Sequence, residues 1–198
     1  MWRVQTEDDH QAFAMLMQRW QNPIRSLCAR MLGDVQRGED LAQEAFAKVF
    51  DRRKDYEHKG KFSSFLWRVA LNLCYDELRR VKRRREAPMG DEEEATEGVV
   101  GFDAPGPDFH LVEQERAEAV RRALLRLDEP YRVVVVLRHY EGLKFREIGE
   151  LLEIPEGTVK SRMVEALNQL NRILSHSLNE SEVSCKTTIP NPKPSLTL

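Results

Sequence analysis

Cysteine is scarce. Cys28, Cys74 and Cys185 are the only three in 198 residues, and they lie far apart. They form no CxxC pair and no even framework, which excludes a disulfide-stapled scaffold and fits a reducing compartment. The histidines (His10, His58, His110, His139, His176) pair with no His or Cys at ligand spacing, so neither metal nor cofactor is expected. Long hydrophobic runs are absent as well: no stretch reaches the roughly 18 apolar residues of a membrane span. The opening MWRVQTEDDHQ lacks a basic start followed by an apolar stretch, so no secretory signal is expected and a cytoplasmic location is. Gly (10) and Pro (9) are too few for a collagen-like or low-complexity chain. What is present is 41% hydrophobic residues, enough for a core, and 32% charged residues. That excludes a wholly disordered chain.

The net charge of −2 conceals strong segregation. Residues 61–85 carry eight basic and two acidic side chains, whereas residues 86–115 carry ten acidic and none basic. A basic block able to meet nucleic acid is therefore followed directly by an acidic one. The acidic block contains DEEEATEG and the turn-rich APGPD, with little periodicity, and reads as a flexible linker over 87–111. Two lobes are expected, 1–86 and 112–175, followed by a polar, Pro-bearing tail, 176–198, expected to be disordered.

Both lobes read as helical, giving an all-α chain of two small domains. Phe13, Leu16, Met17 and Trp20 recur at helical spacing, and Pro23 predicts a break or a new start before Ile24, Leu27, Cys28, Met31 and Leu32. Gly33 and Gly38 predict a loop. Leu41, Ala42, Ala45, Phe46, Val49 and Phe50 then make one apolar stripe, opposite Asp40, Gln43, Glu44, Ala47 and Asp51. A long helix is predicted from about Phe62 to Arg84, with Phe65, Leu66, Val69, Ala70, Leu73 and Leu78 inward. In the second lobe a helix is predicted over about 111–127. The segment LDEPYRVVVVLRHYEG favours a strand by its four valines. Asp128 before it, Pro130 in its first turn and Gly142 after it favour a helix, which is the reading adopted. A short helix at about 144–152, a break at 153–155 and a longer helix at about 156–174 have helix-turn-helix spacing. Ile148, Leu152, Ile154, Val159, Met163, Leu167 and Leu170 are expected to fill its angle.

Nothing resembles an active site, and the chain is not expected to be an enzyme. Asp40 and Glu44 share a helix face, but the partner Glu-x-x-His of a carboxylate metal site is missing, which favours a solvated or protein-binding face. On the long helix, Phe62, Trp67 and Tyr75 lie among Lys61, Arg68, Asn72 and Arg79. Single-stranded DNA is bound by this combination of aromatic platforms and cations. Aromatic residues on helices also serve as core, and the run LRRVKRRR at 78–85 also suits a helix C-terminus. In the last helix, Thr158, Ser161, Arg162, Glu165 and Gln169 share a face, with Lys160 placed for phosphate. A solvated face of i, i+4 pairs reads equally well there.

Taken together, EDLAQEAFAKVF (39–50), KFSSFLWRVALNLCYDELRR (61–80) and EGLKFREIGELLEIPEGTVKSRM (141–163) resemble, in order and separation, a bacterial RNA polymerase sigma factor of the extracytoplasmic-function (ECF) class. The resemblance covers about residues 8–175. It implies that region 2 lies in residues 1–86 and region 4 in residues 112–175. It implies docking of Asp40, Gln43, Glu44, Ala47 and Asp51 on the β′ clamp helices of core polymerase, and contact with the β flap. Lys59, Lys61, Phe62, Ser63, Trp67, Arg68, Asn72, Arg79 and Arg80 would read the −10 element as melted strand. Thr158, Lys160, Ser161, Arg162 and Glu165 would read the −35 element as duplex. Promoter DNA and an anti-sigma protein are the further partners implied; no small-molecule substrate is. A stand-alone helix-turn-helix regulator remains the alternative. Two positions depart from the family's usual pattern: Gly149, where Ala is usual, and Glu153, where Gly is usual. The latter predicts a left-handed backbone at Glu153 or a different turn.

Overall fold

A computed structural model describes residues 1–56, 61–86 and 110–186. The described residues contain helices and no strand. The first lobe comprises α1 (Trp2–Thr6), α2 (His10–Leu32), α3 (Val35–Asp51), a 3-10 turn (Arg53–Asp55) and α4 (Phe62–Glu86). The second comprises α5 (His110–Arg126), α6 (Glu129–Val135), a π-helical turn (Val136–Tyr140), α7 (Phe145–Leu152) and α8 (Glu156–Lys186). The expected linker lies outside the described residues, apart from the start of α5.

In the first lobe the local signals are simple. Asp9 caps α2 by accepting the Ala12 N–H at 2.9 Å, and Asp34 caps α3 by accepting the Arg37 N–H at 2.9 Å. Gly33, with φ of 79°, ends α2 in the left-handed conformation. The break predicted at Pro23 does not occur: α2 is continuous with Pro23 inside it. An interior proline costs about 3 kcal/mol. Here Ile24, Leu27, Cys28 and Met31, all fully buried on one stripe, offset it.

Gly38, expected in a loop, lies in α3 instead. A Cβ there would come within 2.6 Å of the Ala29 backbone nitrogen, so Gly38 is where α2 and α3 touch backbone to backbone. The predicted α3 stripe is buried from Leu41 to Val49, with Phe50 at its edge. On α4 the buried arc is wider than predicted. Leu66, Ala70 and Leu73 are buried as expected, but so are Trp67 and Leu71, while Phe65, Val69 and Leu78 are only partly covered. The reason is that α4 packs on α2, α3 and also α7 of the second lobe. Glu77, almost buried on α4, accepts from Arg37 of α3 at 2.9 Å and from Arg80 at 2.7 Å. The Arg37 guanidinium, with Arg80, holds its carboxyl below the usual range.

In the second lobe the helical reading of the valine run holds: Val133 to Val136 and Leu137 are all buried. Burial on several sides overrides their strand propensity. Asp128 precedes α6 in extended conformation but makes no side-chain cap bond. Gly142, with φ of 69°, ends the π-helical turn. Within the helix-turn-helix, Ile148, Leu151, Val159, Met163 and Ala166 are buried. Leu167, expected to help fill this angle, is 47% exposed. Positions 159, 163, 166 and 170 follow one helical stripe, and 167 lies about 70° from its centre. Helix α8 passes the expected end near 174 and reaches Lys186, since no Gly or Pro interrupts the sequence there. Residues 187–198 of the expected disordered tail lie outside the described residues.

Candidate nucleic-acid interface

The acidic face of α3 is presented as the sequence predicts. Asp40, Gln43, Glu44, Ala47 and Asp51 are all exposed, and the buried stripe opposite fixes their direction. Lys48 tempers this charge through an i, i+4 pair with Glu44 at 3.0 Å.

Lys61, just before α4, and Arg68, Asn72, Arg79 and Arg80 on it are exposed, and Phe62 and Ser63 are half-buried. Lys59 lies outside the described residues. Trp67 does not belong to this surface. It is 4% exposed and meets Trp20 of α2 edge to face, with ring centroids 6.0 Å apart. A base cannot stack on a ring enclosed in this way, so Trp67 is core rather than a platform. Phe62 sits edge to face with Tyr56 at 6.2 Å. Burial raises the Tyr75 phenol to about 12, so it stays protonated and able to donate.

Of the residues expected on the reading face of α8, Lys160 and Ser161 are exposed, and Thr158, Arg162 and Glu165 are half-exposed. Lys160 pairs with Glu156 at 2.7 Å, Ser161 donates to the Thr158 carbonyl at 3.0 Å, and Gln169 donates to Glu165 at 2.9 Å. The turn between α7 and α8 accounts for both unusual residues. Glu153 is left-handed, at φ 57° and ψ 39°, as one of the two predicted alternatives requires. The Ile154 N–H returns to the Gly149 carbonyl at 3.0 Å. A Cβ at position 149 would stand 2.8 Å from the Ile154 carbonyl oxygen, and the absence of one admits this close turn.

The structure adds an arrangement that sequence reasoning missed: the cationic α4 surface lies against α7 and its turn in the second lobe. A cleft of about 350 Å³ between the lobes is lined by Arg68, Asn72, Tyr75 and Arg79 of α4, with Glu129, Glu153 and Arg162 opposite. Lys61 pairs with Glu147 at 2.9 Å, and Arg68 reaches Glu153 at 3.4 Å and the Glu150 carbonyl at 3.2 Å. The Lys61 ammonium is held above its usual range by Glu147. Glu147 is held below its own, first by the Lys144 N–H and then by Lys61.

A buried joint lies apart from this cleft. Arg132 donates to the carbonyls of Leu124 (3.2 Å), Leu125 (2.8 Å) and Leu127 (2.9 Å) at the end of α5, and to Met31 at the end of α2. Its charge thus faces two helix C-termini. Leu125 packs on Gly33, where a Cβ would come within 2.6 Å of it. Arg30 lies over the Tyr140 ring at 4.2 Å and pairs with Glu141 at 3.4 Å. Burial nevertheless raises the Glu141 carboxyl to about 7. The available signal for Arg132 was one charge set against a run of four valines.

Fold and surfaces together define a two-lobed helical protein with a helix-turn-helix in its second lobe. Residues 16–85 match Sigma-70 region 2, and residues 117–170 match Sigma-70 region 4. The ECF RNA polymerase sigma factor SigW of Bacillus subtilis is 35% identical over 171 residues, covering 84% of this chain and 90% of that protein. The RNA polymerase sigma-H factor of Pseudomonas aeruginosa is 31% identical over 184 residues, covering 90% of this chain and 94% of the relative. The fold is shared with the sigma factor RpoE of Bartonella quintana, solved with the anti-sigma factor NepR (TM-score 0.67, 20% identity, 83% of this chain and 98% of that one). It is also shared with CnrH, solved with the cytosolic domain of CnrY (TM-score 0.60, 22% identity, 85% and 90%). The chain belongs to the ECF sigma factors, which direct RNA polymerase to promoters and are initiation factors rather than enzymes.

Proposed function

We propose that this sigma factor divides promoter reading between its lobes. In the first lobe, residues 1–86, the acidic face of α3 binds the β′ clamp helices through Asp40, Gln43, Glu44, Ala47 and Asp51. The surface of Lys61, Phe62, Ser63, Arg68, Asn72, Arg79 and Arg80, together with Lys59, takes the −10 element as melted strand. Trp67 contributes by packing α4 rather than by stacking a base. In the second lobe, residues 112–175, Thr158, Lys160, Ser161, Arg162 and Glu165 enter the major groove of the −35 duplex, and the lobe also meets the β flap. Residues 87–111 connect the two.

The observation that carries this reading is the division of the first lobe's surface. An exposed acidic helix face and an exposed cationic helix face are fixed by one shared core. A cationic face suits phosphates and an acidic one suits a basic protein helix. Melting costs a few kcal/mol per unstacked base, which contacts to captured bases must offset. One structural neighbour, the sigma factor RpoE, was solved with the anti-sigma factor NepR, which supports an anti-sigma protein as a further partner here.

The test is transcription in vitro with bacterial core polymerase on a pool of promoter fragments. Specific transcripts that depend on the protein, lost when Arg68 and Asn72 are replaced by Ala, are expected. Transcripts indifferent to those replacements would overturn the −10 assignment. Neither transcripts nor core binding would favour a stand-alone helix-turn-helix regulator.

A further inference from the structure

We infer that α1 sets the base selectivity of the −10 surface by holding the turn from which that surface starts, with Gln5 as the positioning residue. This rests on the −10 assignment of Phe62 above and adds a segment that lies before the region 2 match, residues 16–85. The 3-10 turn Arg53–Asp55 follows α3 and ends at Tyr56, whose backbone is extended. The last carbonyls of such a turn have no partner within it. The Gln5 side-chain amide donates to two of them, Lys54 at 3.0 Å and Tyr56 at 2.9 Å. A primary amide has two N–H donors, so one side chain serves both.

The neighbours of Gln5 brace the same turn. Val4 is fully buried, and α1 packs on α2 and on the turn. Asp8, left-handed at φ 49°, reaches Arg53 at 2.6 Å, and that guanidinium holds the Asp8 carboxyl below its usual range. Arg53 in turn donates to the Phe50 carbonyl at 3.0 Å. Burial of Val4 is non-directional, whereas two hydrogen bonds from one planar amide fix where the turn stands against α1. Tyr56 carries that position onward. Its buried ring meets Phe62 edge to face at 6.2 Å and Phe65 at 5.1 Å. Gln5 therefore holds the backbone of the residue on whose ring Phe62 leans. Discrimination between captured bases depends on fit, and a displacement of about 1 Å at a positioned group is costly.

Gln5→Glu tests this on the full chain, because it keeps the side chain's length and shape and replaces both donors by acceptors. Thr6→Glu is the control: it adds the same charge at the next position, whose hydroxyl bonds to the Trp2 carbonyl within α1. Hydrogen exchange across residues 53–56 is expected to quicken in Gln5→Glu and to stay at the parent's rate in Thr6→Glu. Equal rates in Gln5→Glu and the parent, or equal quickening in both variants, overturn the hold of α1 on the turn. Transcription with core polymerase then compares a promoter from the fragment pool with its single-base −10 variants, the −35 element being unchanged. The ratio of preferred to altered −10 sequence is expected to fall about three- to tenfold in Gln5→Glu, with core affinity near the parent's. A fall in core affinity by the same factor would mark general disruption of the lobe and overturn the positioning role. An unchanged ratio in Gln5→Glu, where Phe62→Ala lowers it, overturns the positioning role alone. An unchanged ratio in both overturns the −10 assignment of Phe62 beneath it as well.

Discussion

Replacing Gly149 by Ala should destabilise the second lobe, although the same change in an ordinary helix is favourable. Two effects compete. Helix propensity favours Ala by about 1 kcal/mol. Against it, the new Cβ would stand 2.8 Å from the Ile154 carbonyl oxygen, which belongs to the backbone and cannot rotate away. Relief requires the α7–α8 turn to move by several tenths of an ångström, stretching the 3.0 Å bond from the Ile154 N–H to the Gly149 carbonyl. Overpacking of this kind costs about 1–3 kcal/mol. The net expectation is a loss of about 1 kcal/mol, or a fall of about 4–8 °C in Tm for a unit of 60–100 residues. Glu153→Gly alone should stabilise by about 1 kcal/mol, because it removes a side chain from a left-handed backbone. A glycine at 153 also widens the turns available, so Gly149→Ala should cost less in its presence. Thermal unfolding followed by circular dichroism, on the parent, both single variants and the double variant, gives the cycle. A Gly149→Ala protein as stable as the parent or more so would refute the close-turn reasoning, as would strict additivity of the two changes.

Two further outcomes follow from the joint. Arg132→Met keeps length and removes the charge, leaving buried carbonyls at the ends of α5 and α2 without their donor. A loss of about 3–5 kcal/mol is expected by urea denaturation; a loss below about 1 kcal/mol would show that these carbonyls find other donors. Glu141, raised from 4.5 to about 7 by burial against the opposing pull of Arg30, binds its proton more tightly folded than unfolded. Its favourable contribution is complete below pH 4.5, declines as pH rises through 7, and is gone above that. Glu141→Gln should therefore flatten the loss of stability between about pH 5 and 8 and stabilise by about 2–3 kcal/mol at pH 8. An unchanged pH profile in that variant would remove Glu141 as its source.

What could be read from the sequence was what is local or periodic. The α3 stripe specifies a buried side and, by exclusion, the acidic face opposite, and both stand as predicted. The valine run was resolved by its flanking residues, Pro130 and Gly142, against its own propensity. The errors have a common physical cause. Pro23, Gly38, Trp67 and Leu167 were each judged by residue type or one-helix geometry, and each is decided by what a second helix does. Gly38 is helical because Ala29 of α2 leaves no room for a Cβ, and Trp67 is core because Trp20 covers it.

The contact between lobes was illegible for a further reason. Charge counted along the chain assigned the negative block to residues 86–115 and left 116–175 nearly neutral. Yet the carboxylates that meet Lys61 and Arg68 come from that nearly neutral stretch. Glu147 and Glu153 fall on either side of Glu150 in the sequence, and only the fold of α7 turns them toward α4. Segment charge thus predicts which partners a lobe attracts over a Debye length, while the pairing of individual groups depends on which helix face is left open by the core. For this chain the same rule that buries Ile148 and Leu151 on one side of α7 sets its acidic edge against Lys61 and Arg68 of the first lobe.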